Sequence, residues 1–405
     1  MSKLKYDFTS ILDRRGKDAA AYDVVGAHRI APAKPKEGFD IIPMWVADMN
    51  FPVVPTVTEA IIERAKHPSF GYFFPTDKYY GPIIEWQEKR NGVVGLTKEH
   101  IGYENGVIGG VLSALDVLCS RGDKVLLHTP AYSAFITSLT KHGLNIVETP
   151  LVKDQQDVWR MDFEDMERKI VANDIHAVVF CSPHNPCGRV WERWELEKAM
   201  EIFARHSVYI VSDEIWSDIV RPGSRHIPTQ SVNDYAKHHT VALYAPSKTF
   251  NLAGLIGSYH IIYDKWLRDR VDAQSALCYY NEMNVLSMHA LIGAYQPEGH
   301  AWVDELNQVI AGNVDFACDH IERHYKGIEV SKPQGTYMIF LDCAKWCQEH
   351  GTTIDELQKA GTDVGVAWQD GRLFHGPCHI RMNLALPLSR VQEAFRRLDK
   401  YVFNA

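Results

Sequence analysis

Long apolar runs, clustered cysteines and an excess of positive charge are all missing from this 405-residue chain. No stretch approaches the ~18 apolar residues that a membrane span requires. The opening MSKLKYDFTSILDRRGKD alternates charged and apolar residues and does not read as a signal peptide, which needs an apolar core of about 7–15 residues. The formal charge of −8, from 51 acidic and 43 basic side chains, gives neither nucleic acid nor an anionic membrane a reason to bind. Eight cysteines (Cys119, Cys181, Cys187, Cys278, Cys318, Cys343, Cys347 and Cys378) are scattered without a C-x-x-C pair or a Cys/His cluster. They read as reduced packing thiols of a cytoplasmic protein. The 19 histidines include the pair His238 and His239 but no H-E-x-x-H, and G-x-S-x-G is absent, so zinc and serine hydrolase chemistry is set aside.

What is present is a chain that is 46% hydrophobic, enough for a large core and two lobes. Its middle alternates short apolar runs with helical periodicity, the pattern of parallel strands joined by crossover helices. Residues 124–130 (KVLLHTP), 176–183 (HAVVFCSP), 207–214 (SVYIVSDE) and 240–247 (TVALYAPS) read as strands. Between them, 193–206 carries apolar residues at a helical period and reads as an amphipathic helix on a sheet. Toward the end a long helical pattern over 300–325 is followed by the strand-like QGTYMIFLDC and HIRMNLALP, then by an amphipathic helix in SRVQEAFRRLDKYVF. The expected fold class is α/β: a large domain with a mostly parallel, doubly wound sheet over 51–290, and a smaller α+β domain over 291–405 that the N-terminal 1–50 joins.

In a doubly wound sheet, ligands bind beyond the carboxyl ends of the strands. There the sequence places Tyr132 in TPAY, Asn185 in PHNPCGR, Asp213 in VSDE, and Ser247-Lys248 in APSK. Each has an ordinary reading: a packed loop aromatic, a turn, a helix cap and a surface charge. Together they form a complementary set at four successive strand ends, and pyridoxal 5'-phosphate uses that set. A lysine bonds to its aldehyde, a carboxylate pairs with its pyridine nitrogen, an amide holds its 3'-oxygen and an aromatic ring stacks on its face. Its phosphate wants backbone N–H groups at a helix N-terminus. Residues 104–118 (ENGVIGGVLSALDVL) offer glycines ahead of a helix expected to start near Val111.

The blocks SPHNPCGRVW, VSDEIWSDIV and APSKTFNLAGL resemble the fold-type-I, aspartate-aminotransferase-like pyridoxal phosphate enzymes. FTSILDRRGKDAAAYD, IIPMWVADMNFPV, FGYFFP and TPAYSAF narrow the resemblance to the MalY/PatB branch of cystathionine β-lyases and C–S lyases, from about residue 7 to the end. The resemblance implies that Lys248 is the Schiff-base lysine, Asp213 the partner of the ring nitrogen, Asn185 the donor to the 3'-oxygen and Tyr132 the stacking ring. It implies that Ser247 and the backbone of Val107 and Ile108 hold the phosphate, and that Arg381 grips the substrate carboxylate. Tyr72 would reach the neighbouring subunit's site in a homodimer, and Trp45, Ala47 and Asp48 would shape the substrate entrance. The implied reaction is β-elimination from L-cystathionine or another cysteine S-conjugate. An aminotransferase is the alternative, and a non-catalytic or regulatory protein that kept the fold is a more distant one.

Three positions depart from the pattern. Trp216 stands where aminotransferases of this fold have tyrosine and the C–S lyases have histidine. Ile256 stands where aminotransferases often carry a phosphate-binding arginine, which favours the lyase. Cys187 replaces the threonine of NPTG and is expected to pack.

Overall fold

The computed structural model describes residues 4–277 and 281–403, so Cys278 and the first three residues of the opening segment lie outside the described residues. The apolar runs of the middle region become the centre of a seven-stranded sheet. Its order is Ile101–Glu104, Ser258–Ile261, Thr240–Tyr244, Tyr209–Asp213, Ala177–Cys181, Lys124–Thr129, Asn145–Pro150. Only Ser258–Ile261 runs antiparallel to its neighbours. Ala177–Cys181 and Thr240–Tyr244 are buried along their whole length, because helices cover both faces of a parallel sheet and leave no solvent face to alternate. The expected helix at 193–206 is Arg193–Arg205, with Leu196, Ala199, Met200 and Phe203 buried.

One expected boundary moves. The helix placed near Val111 starts at Val107 and runs to Leu118, so Gly109 and Gly110 lie inside it. Gly106 precedes it at φ +80°, a conformation that glycine adopts without strain. Gly110 is required by packing: a Cβ there would meet Leu243 Cδ2 at 2.5 Å, so the glycine lets the helix settle onto Thr240–Tyr244. Glycine thus marks close approach here as well as loops.

Past residue 296 the chain forms the long helix Pro297–His324 and a four-stranded antiparallel sheet, ordered Glu329–Val330, Met338–Asp342, His379–Asn383, Gln369–Asp370. The amphipathic C-terminal helix is Leu388–Leu398, with Val391, Ala394, Phe395 and Leu398 inward. The N-terminal segment is mostly irregular, yet it is tied to this region where Ile42–Pro43 pairs in parallel with Val366–Ala367. Phe8 packs on Phe51 and Trp302 in the main core. Among the described residues no helix is long and apolar enough to cross a membrane. Cys119, Cys181, Cys187, Cys318, Cys343, Cys347 and Cys378 are free thiols.

Candidate active site

The strand ends converge on a cavity of about 200 Å³ lined by Ala47, Val107, Ile108, Tyr132, Asn185, Asp213, Ser247 and Lys248, among others. Asp213 is the last residue of Tyr209–Asp213 and is nearly fully buried. Its Oδ1 accepts the Ile215 N–H at 3.0 Å, while Oδ2 takes no hydrogen bond from any described residue. Burial pushes this carboxyl up to about 7, against the pull of the Ile215 N–H and Lys248. A buried carboxylate with an open oxygen calls for a cationic donor. Directly behind it, Glu214 is tied down by Tyr244 Oη at 2.6 Å, His226 Nε2 at 2.7 Å and the Thr229 N–H at 3.0 Å. Burial opposes its charge, but those partners keep its carboxyl below the usual range.

Lys248 sits on the one-turn helix Pro246–Thr249, which proline starts because its missing N–H and fixed φ suit the first helical position. The Thr249 hydroxyl anchors that turn on Asp218 at 2.9 Å. Lys248 Nζ donates to the Ala47 carbonyl at 3.0 Å and lies over the Trp216 ring, 5.9 Å from its centroid. Burial, with Arg381 nearby, lowers the ammonium to about 8, although Asp48 and Asp213 pull it the other way. This amine, at the end of an apolar strand, is poised to lose its proton near neutrality.

Asn185 follows Ala177–Cys181 in a loop closed by Gly188 N–H to His184 O at 2.7 Å and His184 N–H to Arg189 O at 2.8 Å. Its Oδ1 accepts from Arg381 Nη1 at 3.1 Å, and its Nδ2 donates to no described residue. Tyr132 caps Ser133–His142, and its ring meets Phe135 edge-on. Burial raises its hydroxyl pKa. The first turn of Val107–Leu118 turns N–H groups toward the cavity that have no acceptor within the helix, and the Ser247 hydroxyl beside them is bonded to no described residue.

Arg381 lies behind Asn185, 2% exposed, on His379–Asn383. It donates to Asn185 Oδ1, Trp45 O and Gln369 Oε1 and stacks on Phe374, and it is paired with no carboxylate among the described residues. Its Nε has no partner among the described residues. Burial lowers the guanidinium to about 10. A buried cation without a counter-ion is the expected complement of a small carboxylate.

The expected residues do not all meet. Trp45 contributes its carbonyl to Arg381 while its indole N–H bonds Ala21 O at 3.1 Å. Asp48 is paired with Arg14 at 2.7 Å, outside the cavity lining. Tyr72 is fully exposed and does not line this chain's cavity. Trp216 does line it, and its indole N–H donates to no described residue. Ile256 lines it too, at φ +41°, a strained conformation for a β-branched residue. Cys187 is buried in an apolar cluster with Trp191, where burial pushes its thiol well up. Of the cavity lining, sequence reasoning missed Asn105, Cys181, Ile215, Ala245, Ala253 and Gly257, of which only Asn105 and Gly257 carried a signal, through the glycine-containing turns they belong to.

An amine, an open carboxylate oxygen, an amide donor, an aromatic plate and a helix N-terminus match the aldehyde, ring nitrogen, 3'-oxygen, ring face and phosphate of pyridoxal phosphate. The sequence profile of the family Aminotransferase class I and II matches residues 40–398. The chain is 33% identical to cystathionine beta-lyase PatB of Bacillus subtilis over 362 residues, covering 89% of this chain and 92% of that protein. It is 29% identical to protein MalY of Escherichia coli, covering 96% of each. Its structure superposes on a C–S lyase of Staphylococcus hominis, solved with pyridoxal phosphate bound, with a TM-score of 0.87 at 28% identity over 98% of each chain. This chain therefore belongs to the class I and II aminotransferase family, in the branch that includes PatB and MalY.

Proposed function

We propose that the protein is a pyridoxal phosphate-dependent lyase that cleaves the C–S bond of L-cystathionine or a related cysteine S-conjugate, yielding a thiol, pyruvate and ammonia. The observation that carries the reading is the convergence of Lys248, Asp213, Asn185 and Tyr132 on one cavity with the uncompensated Arg381 behind it. When bound, pyridoxal phosphate supplies a ring that stabilises negative charge at the substrate Cα.

The chain's own residues supply the rest. Lys248 is the covalent anchor, and its amine, lowered to about 8, is a base matched to neutral pH that takes the Cα proton. Asp213 would accept from the ring nitrogen and keep it protonated. Asn185 would donate to the 3'-oxygen and Tyr132 would pack on the ring face. Ser247 and the N–H groups of Val107 and Ile108 would hold the phosphate. Arg381 binds the α-carboxylate, helped by the Ala47 N–H, while Trp45 positions Arg381 and Asp48 fixes the entrance loop through Arg14. Holding the carboxylate at Arg381 would fix the substrate within reach of Lys248, the group that would take the Cα proton, and the sulfur would depart from Cβ with its bonding electrons as a thiolate.

Domains divided at 1–50, 51–290 and 291–405, a homodimer and a cytoplasmic location complete this reading. The exposed side chains of Phe70, Tyr72 and Phe74 support the dimer, in which Tyr72 would enter the neighbouring subunit's cavity. The aminotransferase alternative shares the first proton transfer and parts from the lyase afterwards. Incubation with L-cystathionine alone, and separately with alanine plus 2-oxoglutarate, distinguishes them. Pyruvate from cystathionine without an acceptor supports the lyase, and turnover only with the acceptor rejects it.

A further inference from the structure

The Ala47 carbonyl oxygen accepts two hydrogen bonds, from Lys248 Nζ and from the Tyr337 hydroxyl, each at 3.0 Å. Its loop is clamped on both sides. Asn383 Nδ2 donates to the carbonyls of Val46 and Asp48, Asn251 bonds both the N–H and the C=O of Met49, and Arg14 donates to Met49 O at 3.0 Å. Tyr337 is fully buried and meets Trp216 edge-on at 4.6 Å. Asn383 ends a strand of the four-stranded sheet and Tyr337 directly precedes the strand Met338–Asp342 of the same sheet, whereas Lys248 follows a strand of the seven-stranded one. The amine is therefore moored across the cavity to a strut built from the other sheet.

A carbonyl oxygen has two lone pairs, and here both are used. When Lys248 leaves, the oxygen keeps the Tyr337 bond. Without that hydroxyl, departure of the amine would leave a partly buried acceptor with no partner among the described residues, which is an unfavourable outcome for a hydrogen-bonded group. The mooring would then hold the lysine in place.

We propose that Tyr337 is a positioning residue that acts through the Ala47 carbonyl, keeping that oxygen satisfied so that Lys248 can leave it to bond pyridoxal phosphate and to take the substrate proton. The proposal rests on the role given to Lys248 above. The charged groups that act on the amine are Arg381, which disfavours its protonation, and Asp48 and Asp213, which favour it. The Trp216 ring face covers it from the remaining side. Removing the Tyr337 hydroxyl makes the Ala47 oxygen a stronger acceptor for the ammonium, which favours the protonated, moored form.

The test follows capture of pyridoxal phosphate by its absorbance change. Full-length protein is used as purified and after removal of bound cofactor with hydroxylamine, with melting curves to verify folding, and pH is varied across the Lys248 midpoint of about 8. In capture the neutral Nζ attacks the aldehyde carbon, a C=N bond forms, and the aldehyde oxygen leaves as water with the two amine hydrogens. Tyr337→Phe is expected to slow capture on the order of tenfold and to move its pH midpoint upward. A folded Tyr337→Phe protein with the wild-type rate and midpoint overturns the proposal and leaves the function reading standing. Cofactor capture with the expected shift, but no pyruvate from any cysteine S-conjugate, does the reverse. A second measurement needs no variant. Ala47-Asp48 is the one Ala-Asp dipeptide in the chain, so isotope labels on alanine carbonyls and aspartate amides isolate the Ala47 carbonyl by NMR. Its resonance is expected to shift as Lys248 titrates, and a resonance unmoved by pH and by cofactor capture refutes the mooring.

Discussion

Exchanging Asp213 for asparagine is predicted to stabilise the cofactor-free protein while it disables the enzyme. Asparagine keeps the shape and still accepts the Ile215 N–H through its carbonyl oxygen, so the change removes the charge and little else. Burial raises the Asp213 carboxyl from 3.8 to about 7. Each unit is worth about 1.4 kcal/mol, so the ionised side chain costs the fold roughly 4 kcal/mol above pH 7. Attraction to Lys248 is already contained in that net shift, so the expected gain is about 4 kcal/mol at pH 8. The sign follows from a raised folded-state pKa on an acid: the penalty is absent below the unfolded value of 3.8 and complete above about 7. Urea denaturation of cofactor-free wild type and Asp213→Asn at about pH 5 and pH 8 reads the difference directly. The gap should more than halve at the lower pH. A variant no more stable than wild type at pH 8, or a gap that ignores pH, refutes the account of Asp213 as a destabilising charge held for function. With cofactor restored, turnover should drop by on the order of 10³-fold.

Other perturbations test separate parts of the structure. Gly110→Ala drives a methyl group toward Leu243 Cδ2 and should cost about 1–3 kcal/mol in thermal or urea unfolding. Arg381→Met should raise KM for an amino-acid substrate about 10²-fold with a smaller change in kcat, and Arg381→Lys should not restore it because a lysine lacks the planar fork. Glu104→Gln breaks a buried ion pair with His260 at 2.8 Å and should cost about 3–5 kcal/mol near neutral pH by urea denaturation. Asp272 and Glu104 outweigh burial and raise His260 from 6.5 to about 9. The stabilisation is therefore complete below the unfolded value of 6.5 and is lost as pH climbs through about 9, where the gap between variant and wild type should narrow.

The strand ends were legible because a parallel strand buried on both faces is an apolar run that stops sharply at a polar residue, as Ala177–Cys181 and Tyr209–Asp213 do. The start of Val107–Leu118 was misplaced because Gly109 and Gly110 look like loop residues, whereas Gly110 serves helix-to-strand contact that only the folded chain reveals. The Ala47 loop carries no periodic signal at all. Its shape is set by hydrogen bonds from Asn251, Tyr337 and Asn383, between about 200 and 340 residues away, and local reasoning cannot see partners at that separation. Ile256 was legible as a missing arginine but not as a strained one, since a positive φ at a β-branched residue is imposed by its surroundings. Tyr72 shows the opposite limit: the segment is recognisable, and its exposed side chain meets nothing within this chain's own cavity.

The central claim is that the geometry around Lys248 releases a thiol from Cβ rather than exchanging an amino group. The most direct measurement is the product balance from L-cystathionine with no 2-oxo acid present, for wild type and for Lys248→Ala. Thiol, pyruvate and ammonia in equal amounts from the wild type, and none from the variant, are predicted. Thiol-free turnover that begins only when a 2-oxo acid is added, or unchanged turnover in Lys248→Ala, would contradict the account.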